Sequence, residues 1–279
     1  MPQTERKSSL RAKLNEGCFV MITSASNSKI KYVKQLLASK KQRDADGLFV
    51  AEGEKLFREI LRDCPEKISE VLVSESFTES VGDSLKAEFD RFSFETVKDS
   101  VFNTTAETVT PQGVLCIVKK PSYDLQDVIA RQGTVRIIML ERLGDPGNMG
   151  TIFRTAEAAG MDLVILSDNC TDVFNPKVVR STMGSVLRVP FAVVPESLET
   201  LKTLKKAQIT SYATFLSASE EFDTVSYSDR SVFLIGNESK GLKEETAFAC
   251  DARIRIPMSG KVESLNAAVA AALVMYRGR

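Results

Sequence analysis

Hydrophobic residues recur along the chain at two spacings, and the alternation between them predicts a succession of strands and helices. Apolar stretches such as Val135–Leu140, interrupted only by Arg136, and Val232–Ile235 are typical of buried strands. Apolar residues three and four positions apart predict helices, the first of which starts from a cap at Asn27 or Ser28 and reaches Leu37. Strands that alternate with helices in this way are typical of α/β proteins.

The same pattern divides the chain into a tail, two domains and a linker. Residues 1–20 are polar, carry charges of both signs and lack the apolar segment of a secretory signal, so we predict a disordered tail. Residues 21–118 have the alternation of a small α/β domain, with a helix predicted over Ser84–Phe89. Residues 119–132 are polar and contain a proline, which is typical of a linker, and residues 133–279 form the second domain.

The end of the second domain combines a strand, a turn and an unusual helix. Ala252–Ile256 alternates apolar and charged side chains, which predicts a short strand that Pro257 ends. Helix-forming Ala, Val, Leu and Met residues then fill the stretch from Leu265 to Tyr276, with Ser264 as the predicted N-cap. Because small residues let another backbone approach closely, this helix is expected to be covered on more than one side.

Composition narrows the chemistry that the chain can perform. Lysine and arginine together number 37, as do aspartate and glutamate, so contact with a nucleic acid has to come from a local patch. The absence of histidine excludes Ser-His and Cys-His catalysis, and we expect no metal site. Five scattered cysteines without a C-x-x-C pair are typical of free thiols in the cytoplasm. No apolar run is long enough to span a membrane.

Two basic segments are candidates for contact with RNA phosphates. The second of them lies in residues 177–194, which lack acidic residues and include Lys177 and Arg180. Either segment could equally be an ordinary solvated helix face, so both interpretations stay open. The first segment, residues 23–43, also lacks acidic residues and holds six cations: Lys29, Lys31, Lys34, Lys40, Lys41 and Arg43.

Glycines follow the first strand of the second domain, but they do not form the dinucleotide-binding fingerprint. Gly144, Gly147 and Gly150 are three residues apart, whereas the fingerprint is G-x-G-x-x-G, so a Rossmann dehydrogenase is not expected. The helix predicted over Gly150–Ala159 carries Arg154 among small and apolar neighbours. An arginine in such surroundings is either paired with a carboxylate or available to a phosphate.

Three ordered segments of the second domain, residues 145–160, 236–242 and 256–270, resemble the signature motifs of the SpoU (TrmH-type) RNA 2′-O-ribose methyltransferases of the SPOUT class. In the first domain, Ile22–Leu61 resembles the L30e-like substrate-binding domain that precedes many of these enzymes. The motif residues that match are Asn148, Gly150 and Arg154 in the first segment, Glu238 in the second, and Ser264 and Asn266 in the third.

The resemblance implies a fold, an activity and an assembly. The implied fold is a parallel-sheet α/β SPOUT domain with a deep trefoil knot, preceded by a small L30e-like α/β domain. The implied activity is transfer of a methyl group from S-adenosylmethionine to a ribose 2′-hydroxyl. We expect ribosomal RNA as the substrate, because an additional N-terminal domain is present, and a homodimer formed through the knotted domain.

The resemblance also gives particular residues expected roles. Arg154 would act at the 2′-hydroxyl, either as a general base or, since a guanidinium rarely gives up its proton, by positioning the hydroxyl and stabilising alkoxide charge. The residues expected to order the site through hydrogen bonds are Asn148, Glu238, Ser264 and Asn266. Those expected to hold the cofactor, largely through backbone groups, are Gly236, Ile256, Leu265, Ala213 and Thr214.

Three alternatives remain open from the sequence. The RNA could be transfer RNA rather than ribosomal RNA. The chain could be a non-catalytic RNA-binding protein that has kept the fold, or an enzyme that uses another nucleotide. Binding of S-adenosylmethionine separates the last two from the implied methyltransferase.

Overall fold

The computed structural model describes residues 21–80, 94–167, 169–218 and 220–278. The predicted tail at residues 1–20 and the predicted helix at Ser84–Phe89 lie outside these ranges. The chain divides into two compact units, residues 1–120 and residues 121–279.

The first unit is built on a four-stranded mixed sheet. The strand order is β1-β4-β2-β3, in which β4 is antiparallel to both of its neighbours and β2 is parallel to β3. Its strands are β1 (Leu48–Glu52), β2 (Ile68–Ser74), β3 (Phe94–Val97) and β4 (Val114–Lys119). Its helices are α1 (Ser28–Ala38), α2 (Lys40–Asp46), α3 (Glu54–Asp63), α4 (Glu75–Ser80) and α5 (Asp99–Asn103), with a 3₁₀ turn at Pro65–Lys67.

Helix α1 confirms the start that the sequence predicts for it. The Asn27 side chain accepts a hydrogen bond of 2.8 Å from the Lys29 N–H, which satisfies one of the free donors of the first turn. The apolar residues of the predicted spacing, from Ile30 to Leu37, are buried in the core of this unit. A 3.6-residue period therefore places one face of the helix on the sheet.

The second unit is built on a seven-stranded sheet in the order β7-β6-β5-β10-β8-β11-β9. All neighbouring strands are parallel, so their carboxyl ends lie along one side of the sheet, which we call the carboxyl edge. The strands are β5 (Val135–Leu140), β6 (Leu163–Ser167), β7 (Phe191–Val194), β8 (Thr210–Thr214), β9 (Glu220–Glu221), β10 (Arg230–Ile235) and β11 (Ala252–Arg255). The helices are α6 (Leu125–Ile129), α7 (Pro146–Ala159), α8 (Pro176–Thr182), α9 (Ser185–Arg188), α10 (Ser197–Lys206), α11 (Glu244–Ala249) and α12 (Ala267–Arg277).

The segment predicted as a linker, residues 119–132, differs from a plain polar connection. Strand β4 continues to Lys119, and helix α6 forms within the segment behind an Asp124 cap. Val128 and Ile129 are buried in the core of the second unit. Apolar residues at i, i+3 and i+4 from Leu125 give this short helix one apolar face that can be buried. The polar composition of the whole segment does not reveal that face.

Two predicted helix starts are wrong, and both errors come from the choice of cap. Helix α7 begins at Pro146 rather than Gly150, because the Asp145 carboxylate accepts from the Asn148 N–H at 2.7 Å. Helix α12 is capped by Asn266 rather than Ser264, because the Asn266 side chain accepts from two backbone N–H groups of the first turn. Ser264 lies before the helix and is exposed.

Candidate active site

Sheet topology brings the three motif segments to neighbouring positions on the carboxyl edge. The first follows β5 and the second follows β10, which is paired with β5. The third follows β11, and β8 lies between β10 and β11. The register places Ala213 of β8 beside Leu234 of β10 and Arg253 of β11. Gly236 and Ile256 therefore lie two and three residues beyond this level, respectively, at the same edge.

Glu238 joins the second motif to the first. Its carboxylate accepts hydrogen bonds from the N–H of Gly144 at 3.2 Å and the N–H of Asp145 at 2.9 Å. It also accepts from the side-chain amide of Asn148 at 3.1 Å. A carboxylate with several donors is tightly placed, so Glu238 fixes the loop that leads into α7.

Asn266 joins the third motif to the first, and its hydrogen bonds determine how both amides are oriented. Its oxygen is occupied by the N–H groups at the start of α12, so its Nδ2 is the atom that donates to Asn148 Oδ1, at 2.9 Å. Asn148 must then present its own Nδ2 to Glu238. The result is one continuous chain, Glu238–Asn148–Asn266, across all three motifs.

The pKa of Glu238 is lowered from its ordinary value. Burial by itself acts to raise this pKa, but hydrogen bonds from the Asp145 N–H, the Asn148 amide and the Gly144 N–H act in the opposite direction and outweigh it. The carboxyl group is therefore ionised at neutral pH, which is the form that can accept all of these hydrogen bonds.

The turn after β10 leaves no room for a side chain at its first residue. A β-carbon on Gly236 would lie 2.1 Å from both the Gly241 carbonyl carbon and the Leu242 nitrogen. Asn237 and Gly241 exchange backbone hydrogen bonds of 3.1 and 2.9 Å, which closes the turn. This close backbone packing forms the wall of the site on which a cofactor would be held by N–H and C=O groups.

Glu141 positions the same turn and was not predicted from the sequence. It follows β5, has only 2% of its surface exposed, and accepts from the Lys243 N–H at 2.9 Å and the Thr246 hydroxyl at 2.6 Å. These bonds fix the start of α11 directly after the turn. The signal available in the sequence was a charged residue placed immediately after the four apolar residues that end β5.

The other residues expected to hold the cofactor differ in what they can offer. Ala213 is fully buried in the core of the unit, so only its backbone is available to a ligand. The Thr214 hydroxyl already donates to the Leu234 carbonyl at 2.7 Å. Ile256 directly follows β11, Leu265 lies shortly before α12, and both are half-buried.

Arg154 lies on α7, six residues after Asn148, and its side chain is exposed. It forms no hydrogen bond or ion pair with the part of the chain that the structure describes. Of the two settings considered for this arginine, pairing with a carboxylate is therefore not found, and the guanidinium remains available to a substrate. Ser264 is exposed as well and stands outside the hydrogen-bonded chain.

The predicted RNA-contacting residues fall into two groups, and one of the predictions is wrong. Arg43 is 3% exposed and donates to the carbonyls of Leu36 and Leu37, so it caps the end of α1 and cannot face RNA. Lys29 is paired with Glu70 and Glu95. The remaining cations are accessible to different degrees: Lys31, Lys40, Lys41 and Lys177 are exposed, whereas Lys34 and Arg180 are half-buried.

Within the described ranges, no three His, Cys, Asp or Glu residues are grouped as metal ligands would be. Within the same ranges, no helix has both the length and the apolar character that crossing a membrane requires.

Two family models match the chain. The model described as SpoU rRNA Methylase family matches residues 136–276, about half of the chain, and the MRM3-like substrate binding domain matches residues 27–116. Among curated relatives, the 23S rRNA (guanosine(2553)-2′-O)-methyltransferase RlmP of Bacillus subtilis is 33% identical over 259 residues, which cover 92% of this chain and 98% of the relative.

Solved structures agree with these matches. The AdoMet-bound rRNA methyltransferase of Sinorhizobium meliloti is 32% identical, has a TM-score of 0.77, and the match covers 93% of this chain and 97% of that one. The SpoU methyltransferase AviRb of Streptomyces viridochromogenes, in complex with the cofactor AdoMet, is 25% identical with a TM-score of 0.80, and the match covers 90% and 97% of the two chains. By its sequence and by its fold, this chain belongs to the SpoU rRNA methylase family.

Proposed function

We propose that this protein is an enzyme that transfers a methyl group from S-adenosylmethionine to a ribose 2′-hydroxyl of ribosomal RNA. The observation that carries the proposal is the hydrogen-bonded chain Glu238–Asn148–Asn266, which ties all three motifs into one site, with the exposed Arg154 six residues after Asn148 on α7. Of the relatives named above, RlmP is a 23S rRNA 2′-O-methyltransferase, and the two similar structures contain AdoMet.

The residues at the carboxyl edge fit such a cofactor. The backbone at Gly236 packs so closely on Gly241 and Leu242 that a β-carbon would not fit, and Thr214, Ile256 and Leu265 stand at the neighbouring strand and helix ends. Backbone donors and acceptors at the ends of parallel strands are the usual means of holding a nucleoside. When bound, the cofactor supplies an activated methyl group, so the protein needs only to place and activate the nucleophile.

Arg154 is the residue that we assign to the nucleophile. Its guanidinium carries five donors and a permanent charge, so it can hold a ribose hydroxyl or the adjacent phosphate and stabilise negative charge as the hydroxyl proton leaves. Asn148 lies on the same helix and is fixed at both ends of its amide. A rigid helix start therefore sets the position from which Arg154 extends.

The first unit is, in this proposal, the part that recruits RNA. It spans residues 1–120, of which residues 27–116 match the MRM3-like substrate binding domain. The exposed lysines Lys31, Lys40 and Lys41 supply positive charge on α1 and α2, and Lys177 supplies it in the second unit. Arg43 and Lys29 are left out for the reasons given above.

Further parts of the proposal concern assembly and location. Val269, Leu273 and Tyr276 are spaced four and three residues apart on α12 and are exposed by 49, 37 and 48%. We infer that the chain forms a homodimer through this apolar face of the second unit. We also infer that the second unit contains a trefoil knot. Cys64, Cys116 and Cys250 are buried and, among the described residues, are not joined in disulfides, which supports the reducing cytoplasm as the location.

Calorimetry and a transfer assay test the proposal together. The purified protein should bind S-adenosylmethionine, and it should transfer tritiated methyl groups to 23S rRNA purified from a strain that lacks the gene. Absence of cofactor binding would favour a non-catalytic RNA-binding protein instead. Cofactor binding combined with transfer to transfer RNA alone would move the substrate to the other RNA class.

A further inference from the structure

Arg142, the second residue after β5, has a backbone conformation that side chains disfavour. Its φ of +57° lies in the left-handed region, where a β-carbon approaches the backbone too closely. Within the described ranges, Met183 and Gln208 are the only other residues besides glycine with a positive φ. Both lie at the ends of helices, α8 and α10, where one left-handed residue commonly terminates the helix. Arg142 follows a strand, so this explanation does not apply to it.

The backbone of Arg142 connects the ends of three strands. Its N–H donates to Ser167 Oγ at 2.9 Å, at the end of β6. Its carbonyl accepts from Asn237 Nδ2 at 2.9 Å, in the turn after β10. Neither bond uses the side chain of Arg142, so a glycine or an asparagine, which adopt the left-handed conformation more readily, could make both. These contacts explain the conformation but not the presence of an arginine.

The guanidinium of Arg142 extends to the same turn. Its Nη2 donates to the Gly241 carbonyl at 3.4 Å and lies 4.0 Å from the Glu141 carboxylate. The side chain is 27% exposed, and its Nε is buried without a hydrogen bond to the described residues. A buried donor without a partner lowers stability. Arg142 thus combines two unfavourable features, a left-handed backbone and an unpaired donor, and such features concentrate at functional sites.

The residue that the guanidinium contacts is the one against which Gly236 packs. A β-carbon on Gly236 would lie 2.1 Å from the Gly241 carbonyl carbon, so the position of Gly241 determines the shape of the backbone at Gly236. Asn237 holds Gly241 from within the turn through two backbone hydrogen bonds. Arg142 holds it from the loop that follows the neighbouring strand, β5. The turn is therefore fixed from both sides.

We propose that Arg142 is a positioning residue for the cofactor. Its guanidinium holds Gly241, and through Gly241 the close-packed backbone at Gly236, in the conformation that binds S-adenosylmethionine. The inference rests on the proposed function, because it takes this turn to hold the cofactor. Arg142 acts through the turn, so it affects the affinity for the cofactor and not the methyl-transfer step, which is assigned to Arg154.

An Arg142→Asn variant separates the unfavourable backbone from the use of the side chain. Asparagine accepts the left-handed conformation and can keep both backbone bonds, so the unfolding temperature should stay the same or rise. Without the guanidinium, the affinity for S-adenosylmethionine measured by calorimetry should fall at least about fivefold. Arg142→Lys can still place one donor on Gly241 and should bind the cofactor within about twofold of wild type. A residue that only stabilised the fold would lose stability and affinity together.

Gln208→Asn is the matched control. Gln208 has a φ of +59°, is exposed and precedes β8, so it lies at the amino ends of the strands and away from the carboxyl edge. This variant should change stability in the same direction as Arg142→Asn and leave the affinity for the cofactor unchanged.

Hydrogen exchange tests the contact with the turn in the absence of any cofactor. The Gly241 N–H donates to the Asn237 carbonyl at 2.9 Å, a bond that closes the turn. This amide should exchange faster in Arg142→Asn than in the wild type, because the turn opens more often once the guanidinium is removed.

Steady-state kinetics provide the last measurement. With rRNA in excess, Arg142→Asn should raise the KM for S-adenosylmethionine at least about fivefold and leave kcat within about twofold of wild type. Wild-type affinity in Arg142→Asn, unchanged exchange at Gly241, or a joint loss of stability and affinity that Arg142→Lys does not restore would each overturn the inference, as would a lower kcat at unchanged KM. If the wild-type protein binds no S-adenosylmethionine, the proposed function itself fails, and the inference fails with it.

Discussion

At the scale of single residues, the site depends on an amide that is used at both ends. Asn148 donates to Glu238 and accepts from Asn266, so no other orientation of the three side chains satisfies their groups. An aspartate or leucine at this position could not make both bonds. The motif residues are therefore held to one another before any ligand binds, which is the condition for a preorganised site.

The lowered pKa of Glu238 predicts that the protein loses stability at acidic pH. Because its folded-state pKa lies below the ordinary value of about 4.3, its contribution to stability is complete above that pH and is lost as the pH falls through the folded-state pKa. Glu238→Gln should lower the free energy of unfolding by about 1–3 kcal/mol at pH 7, since hydrogen bonds to a charged acceptor are lost.

Urea unfolding at several pH values checks this prediction. The difference between wild type and Glu238→Gln should shrink as the pH falls below about 4, the ordinary range of a glutamate. An exposed carboxylate, Glu199→Gln, serves as the control and should show a much smaller difference at pH 7. If the difference in free energy of unfolding between wild type and Glu238→Gln is the same at every pH, the charge of Glu238 does not contribute to stability.

Residue types in a sequence reveal chemistry but not partners. Asn148, Glu238 and Asn266 were predicted together from their motifs, and the structure brings them into contact. Arg43 was grouped with the RNA-contacting lysines because it is near them in the chain, yet its side chain turns inward to the carbonyls at the end of α1. Whether a cation faces solvent or a helix end depends on tertiary packing, which composition does not record.

At the scale of secondary-structure elements, periodicity predicted the strands well and the helix starts less well. Strand β5 lies where its apolar stretch places it, and β11 lies where the alternation of apolar and charged residues places it. Helix α7 starts four residues early and α12 two residues late, because Asp, Ser and Asn are comparable caps and several were available. Which one caps is decided by neighbouring loops, as Asn266 shows through its bond to Asn148.

The turn after β10 predicts how a substitution at Gly236 affects cofactor binding. Gly236→Ala should weaken binding of S-adenosylmethionine by at least about tenfold, because the new methyl group would push Gly241 and Leu242 away from β10. Overpacking of this kind costs about 1–3 kcal/mol, so the variant should still fold. Calorimetry measures the affinity, and thermal unfolding verifies the fold.

Gly241→Ala is the useful comparison in the same turn. No atom lies within 4 Å of a β-carbon placed there, although its φ of +65° disfavours a side chain. This variant should lose stability without displacing the strand end, so its cofactor affinity should fall less than that of Gly236→Ala. The reverse order of affinities would show that crowding at Gly236 is not what shapes the site.

At the scale of the whole molecule, fold and family followed from three motifs, whereas assembly did not. Small residues in α12 predicted cover from more than one side, and in the structure α12 buries Ala271, Val274 and Met275 while one apolar face stays exposed. A sequence cannot distinguish burial in a core from burial in an interface, since both select apolar side chains.

The homodimer proposal is testable at that face. Leu273→Glu should convert a dimer to a monomer in sedimentation experiments, because a charge would be buried without a partner in the interface. Lys202→Glu, on the exposed side of α10, should leave the dimer intact. A wild-type protein that sediments as a monomer at micromolar concentration would contradict the proposal.

The most direct test of the account is a map of 2′-O-methyl groups in ribosomal RNA from a strain that lacks the gene. Restoring the wild-type gene should return methylation at one nucleotide of 23S rRNA. Arg154→Ala should return none, a loss of at least about 100-fold, while the purified variant binds S-adenosylmethionine as the wild type does. Full methylation by Arg154→Ala, or a methyl group on a base rather than on a ribose, would contradict the account.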